Sequence, residues 1–85
     1  MTEALRKVRA ALGRLLAITW DSPRADLEEA VELLSREIDD ATDEQVVPWG
    51  LIAAERSIRL AGTDLDAIHR TARDAARCLD MARAS

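Results

Sequence analysis

Residues 21–41 read Asp-Ser-Pro-Arg-Ala-Asp-Leu-Glu-Glu-Ala-Val-Glu-Leu-Leu-Ser-Arg-Glu-Ile-Asp-Asp-Ala. Leu27, Ala30, Val31, Leu34 and Ile38 recur at steps of three and four, the spacing of one helix face, and acids fill the other side. Ser22 is placed as an N-cap and Pro23 as the first helical residue, where its missing N–H costs nothing. The helix end runs into Asp39, Asp40 and Ala41. The stretch therefore predicts a single amphipathic helix with an acidic outer face.

The flanking segments follow the same period. Upstream, Leu5, Val8, Leu12, Leu15, Leu16 and Thr19 line one side of a first helix that Trp20 closes, with Gly13 a weak point at its middle. Downstream, Thr42-Asp43-Glu44-Gln45 fits a capping box followed by a short turn over 43–46. A third helix is expected from Pro48 to Ala61, buried through Leu51, Ala54, Ile58 and Ala61. Gly62 is the expected residue just past its end. Thr63-Asp64-Leu65-Asp66 then caps a fourth helix, with Leu65, Ile68, Ala72, Ala75, Ala76, Leu79 and Ala82 inward. No segment alternates at period two. The expected fold is all-α, a small four-helix up-down bundle with short loops, and residues 1–85 form a single helical domain.

That topology places Trp20 and Trp49 at opposite ends, since a helix of eighteen residues spans about 27 Å. The two indoles should not touch. Each is expected to be a lid over the core, the other option being an exposed anchor for a partner.

Composition narrows the chemistry. The chain has sixteen Ala, eleven Leu, no Phe and no Tyr. Thin side chains suit closely packed helices and make a poor wall for a large ligand cavity, which weighs against a small-molecule enzyme. The longest apolar runs are a few residues, so no membrane span is expected. The N-terminus lacks the continuous apolar segment of a signal peptide. A lone Cys78 fits a reducing cytosol, so the expected location is cytoplasmic. One Lys against eleven Arg, with many Ala, resembles the usage of a GC-rich bacterial genome or its phages.

Charge is sorted along the chain. Residues 1–20 carry a net +3, residues 21–45 a net −8 and the remainder +1, which the overall −4 conceals. Sorting of this kind shapes association more than fold. Glu37, Asp39 and Asp40 fall in the last turn expected for the second helix, where the macrodipole makes each acid unfavourable by about 0.3–1 kcal/mol. Two compensations are available. Arg6, Lys7 and Arg9 at the start of helix one would lie beside that end in an up-down bundle. Alternatively, the acids serve an external basic surface.

Several strings carry partial likenesses to functional motifs. Glu28-Glu29-Ala30-Val31-Glu32 and Glu37-Ile38-Asp39-Asp40 resemble the magnesium-binding strings of MazG-like nucleotide pyrophosphatases. Carboxylates must converge on hydrated Mg²⁺ from different helices, and here both strings share one helix. A solvated face with Glu32–Arg36 as an i,i+4 pair accounts for them. Asp21-Ser22 before an acidic helix is similar to the attachment site of acyl carrier proteins. Pro23 and the short preceding segment depart from that pattern. Gly62 to Arg70 resembles the turn and recognition helix of a helix-turn-helix DNA-binding regulator, with Arg70, Arg73 and Arg77 as a stripe. Asp64 and Asp66 would face phosphate there, and a pI of 4.9 weighs against direct nucleic-acid binding. His69 and Cys78 stand half a turn out of phase on one helix, with Asp66, His69 and Arg70 read as a local surface cluster. No paired histidines and no glycine-rich phosphate loop occur, so no catalytic residue, metal or cofactor is assigned.

The expected function is that of a small acidic binding protein, non-enzymatic, that regulates or inhibits a larger macromolecule. Anti-CRISPR-like inhibitors carried by phages or mobile elements are of this size and character. The expected partner is a protein with a basic surface. Candidate contacts are Glu28, Glu29, Glu32, Glu37, Asp39, Asp40, Asp43 and Glu44, with Trp49 as an apolar anchor inside the patch. The alternatives are a homodimeric structural or adaptor bundle, in which the Ala-rich fourth helix packs on its own copy, and the helix-turn-helix regulator.

Overall fold

In the computed structural model, which describes residues 3–43 and 49–84, four helices follow one another: α1 (Glu3–Leu16), α2 (Arg24–Asp43), α3 (Trp49–Ala61) and α4 (Leu65–Ala84). The described residues contain no strand. α1 packs on α2 and α4, and α3 packs on α4 and more lightly on α2. Among the described residues the diagonal pairs α1–α3 and α2–α4 do not approach. That ring of neighbours is the up-down four-helix bundle expected from the periodicity. The radius of gyration, 12.0 Å, matches the ~12 Å expected of a folded chain this long.

The core is thin-walled, as the composition requires. Val8, Leu12, Leu15, Leu34, Ile58 and Ile68 are the large side chains that lose essentially all solvent contact. Full burial of a side chain of this size contributes roughly 1.5–3 kcal/mol. Ala4, Ala11, Ala30, Ala41, Ala72, Ala75 and Ala76 fill the seams between them. Inward positions expected on all four helices are occupied as read, except Thr19, which is exposed. The side chain of Ala82 lies outside the described ones.

Three boundaries differ from the sequence reading, each for a local reason. α1 stops at Leu16 rather than at Trp20. Its last turn tightens, with the Ala17 N–H shared between the Gly13 and Arg14 carbonyls at 3.2 Å each, and Ile18 N–H donates to Leu15. Thr19 and Ser22 then close on each other. Thr19 N–H donates to Ser22 Oγ at 3.0 Å and Ser22 N–H donates to the Thr19 carbonyl at 3.1 Å. The Ser22 hydroxyl therefore holds the connection behind it instead of capping α2, which starts at Arg24 with the Pro23 carbonyl accepting from Asp26 N–H. With α1 ended early, Trp20 lies outside the core and is 68% exposed, not the core lid expected.

The second difference lies at the far end of α2. The helix continues to Asp43, and Thr42 Oγ1 donates back to the Ile38 carbonyl at 2.8 Å. A hydroxyl spent on the preceding turn stays within its own helix, so Thr42 does not open a capping box. Its proposed partner Gln45, together with Glu44 and Pro48, lies outside the described residues. The extension carries the final turn past Glu37 and Asp39, which eases the dipole penalty assigned to them.

The third concerns α4. Gly62 has φ +64° as its position demands, and Asp64 N–H donates to the Ala61 carbonyl at 3.0 Å to finish the turn. The cap itself is Asp64, whose Oδ1 accepts from Ala67 N–H at 3.2 Å, and not Thr63.

Candidate functional site

At about 100° per residue, Glu28, Glu29, Glu32, Asp39 and Asp40 fall within roughly 120° of the α2 circumference, opposite Ala30, Leu34 and Ile38. All five are exposed. From Glu28 to Asp40 the row runs about 18 Å along the axis. Arg36 is the one base inside it. Glu37 stands apart, half-buried on the flank of the helix. The acids are placed there because the apolar positions of α2 leave only this arc to solvent.

Their ion pairing is sparse. Glu28 meets Arg24 at 3.5 Å, with both side chains at least 70% exposed, a pair of small value in water. Glu29, Glu32, Glu37, Asp39 and Asp40 make no ion pair among the described residues, and Glu32 does not pair with Arg36 as its spacing suggested. The basic residues of α1 are directed elsewhere. Arg9 binds Asp80 of α4 through two contacts, Nε to Oδ1 at 3.0 Å and Nη2 to Oδ2 at 3.3 Å, and Arg6 meets Glu3 on its own helix at 3.7 Å. Arg6, Lys7 and Arg9 thus make no ion pair with the α2 acids among the described residues, and the internal compensation is not the arrangement adopted.

Trp49 opens α3, so its backbone lies at the pole where α2 ends, and Trp20 lies at the other. The side chains of Asp43 and Trp49, and all of Glu44, lie outside the described residues, so the acidic cluster around an indole does too.

Two features escaped the sequence reading. Ser35, 6% exposed, donates its hydroxyl to Glu55 Oε1 at 2.7 Å and accepts from Arg59 Nε at 3.0 Å. Arg59 and Glu55 meet directly at 2.8 Å, so the three side chains close a polar clasp between α2 and α3. The signal was there: a serine on the flank of the apolar arc, and a Glu-Arg pair at i,i+4 on the next helix. His69 is half-buried and not part of an open surface cluster. Its Nε2 is enclosed with no hydrogen-bond partner.

Among the described residues no three His, Cys, Asp or Glu side chains converge as a metal site would need. No described helix is long and apolar enough to cross a membrane. Arg70, Arg73 and Arg77 are exposed along α4, as their spacing implied. Comparison with known protein families, with characterised proteins and with solved structures finds no match to this chain.

Proposed function

We propose that this chain is a non-enzymatic binding protein that docks the acidic face of α2 on a basic surface of a larger protein and thereby regulates or inhibits it. Inhibitors carried by phages and mobile elements, anti-CRISPR proteins among them, offer the nearest analogy of size and charge. One observation supports the reading above the others. Four of the five acids on the outer face of α2 are left without an ion pair among the described residues, while Arg9 and Arg6 of α1 are engaged with Asp80 and Glu3. A row of charge that the fold does not consume is available for steering a partner of opposite sign. Glu28, Glu29, Glu32, Asp39 and Asp40 make the first contacts in this account.

The test is affinity capture from a bacterial lysate with the wild-type chain and with a Glu28→Lys/Glu29→Lys/Glu32→Lys variant, followed by binding of the purified captured protein over a salt series. The reading expects a protein held by the wild type alone, with affinity that falls as salt rises. Equal capture by the reversed variant contradicts it.

A further inference from the structure

The side of the bundle away from the acidic face carries a different surface. Between α3 and α4 runs a groove of about 490 Å³ lined mostly by small residues, Ala53, Ala54 and Ser57 on α3 and Thr71, Ala75 and Cys78 on α4, together with the buried Leu51 and Leu79 and the exposed Asp74. Ala53, Ser57 and Cys78 are exposed along it. One turn beyond Ser57, towards the α3–α4 turn, Leu60 stands 82% exposed, the most exposed large apolar side chain described. An open groove of small residues beside a protruding leucine is a shape that can complete itself.

The charges along α4 point the same way. Asp74 lies four residues after Arg70 and three before Arg77, all three exposed. Spacing on one helix would allow Asp74 to pair with either. Among the described residues it pairs with neither. An acid flanked by two bases is self-complementary under two-fold rotation, provided the register is offset from the acid itself.

We infer that the α3–α4 face is a homodimer interface, in which α4 of one copy crosses α4 of a second copy antiparallel, so that Arg70 of each faces Asp74 of the other and Leu60 of each enters the groove of the other. The register is set by the charges. Bringing residue 70 opposite residue 74 of the second copy centres the two-fold at the level of Ala72. Leu60 lies level with the first turn of α4, because α3 and α4 run antiparallel and Ser57 with Thr71, and Ala54 with Ala75, line one groove. The same rotation then brings Leu60 of the second copy over Ala75 and Cys78, inside the groove. One register satisfies both the charge and the apolar match. Small residues permit the close approach, and the leucine supplies the bulk that the thin walls lack. α2 is diagonal to α4 in the ring and stays uncovered, so the dimer presents two acidic faces and stands or falls independently of the docking proposal.

Sedimentation equilibrium at high micromolar concentration tests the interface on the full chain. The wild type is expected at twice its 9.4 kDa chain mass. Asp74→Arg sets Arg70 of each copy against an arginine of the other and is expected to raise the dimer dissociation constant by at least about tenfold. The swap Arg70→Asp/Asp74→Arg restores opposite charges across the two-fold and is expected to restore the dimer. Circular dichroism of each variant checks that the helices persist, as substitutions at exposed positions allow. A wild type that sediments at the single-chain mass overturns the inference. So does a dimer indifferent to Asp74→Arg, or a swap that stays monomeric.

Discussion

Arg9 on α1 and Asp80 on α4 meet through two nitrogen–oxygen contacts, at 3.0 and 3.3 Å, and that pair turns the Arg9 charge away from α2. It ties α1 to α4, the neighbour on the far side from α2. The acidic face is left with its charge.

Arg9→Ala is accordingly expected to cost about 0.5–1 kcal/mol, because both side chains are only partly shielded and salt weakens the pair. A double-mutant cycle with Asp80→Ala in urea measures the coupling. Asp39→Asn/Asp40→Asn, by contrast, is expected to leave stability unchanged or raise it by up to about 0.5 kcal/mol, since Asp40 sits in the negative last turn of α2 and neither acid has an ion-pair partner among the described residues. A loss above about 1 kcal/mol in that double variant would mean the acids are paired inside the fold.

The start of α4 gives a sharp comparison. Asp64→Ala removes the acceptor of the Ala67 N–H and is expected to cost about 1 kcal/mol, whereas Thr63→Ala should cost less than about 0.5 kcal/mol. Thermal denaturation of the two variants separates them. Equal losses would return the cap to Thr63.

Gly62 and Gly13 are expected to respond with opposite signs. A Cβ at Gly62 meets nothing within 4 Å, so the cost of Gly62→Ala is the left-handed backbone alone, about 1 kcal/mol. Gly13 lies inside α1, where a Cβ would touch only the tip of Arg9 at 3.5 Å. Gly13→Ala should stabilise by up to about 1 kcal/mol. Urea midpoints of both variants check the signs.

Trp20 offers an optical check of the early end of α1. With Trp49→Phe leaving Trp20 as the sole fluorophore, the folded protein should emit at a solvent-exposed wavelength and be quenched readily by iodide. Blue-shifted, protected emission would place the indole back on the core.

How much of this was legible follows from the range of the interactions involved. Helix existence and inward faces depend on a repeat that many residues share, so Leu12, Leu34, Ile58 and Ile68 could be placed from spacing alone. Gly62 was equally plain, because few residues tolerate its backbone angle. Capping failed where two hydroxyls or acids compete locally. Ser22 turned back to Thr19, Thr42 to Ile38, and Asp64 outcompeted its neighbour Thr63; one-residue choices of this kind leave no periodic trace. The acidic face was readable as a face. The direction of Arg9 was not, because α1 has two neighbours and the sequence does not rank them. Ser35 with Glu55 and Arg59, and the groove beside Leu60, needed the pairing of α2 with α3 and of α3 with α4 before they could be seen.

The most direct test of the docking account is the association rate of the captured partner with wild type and with Asp39→Lys/Asp40→Lys, measured by stopped flow across ionic strength. Exposed charge acts mainly on encounter. The account predicts slower association for the reversed variant, a flatter dependence on salt and little change in dissociation. Identical association rates and identical salt slopes for the two proteins would contradict it.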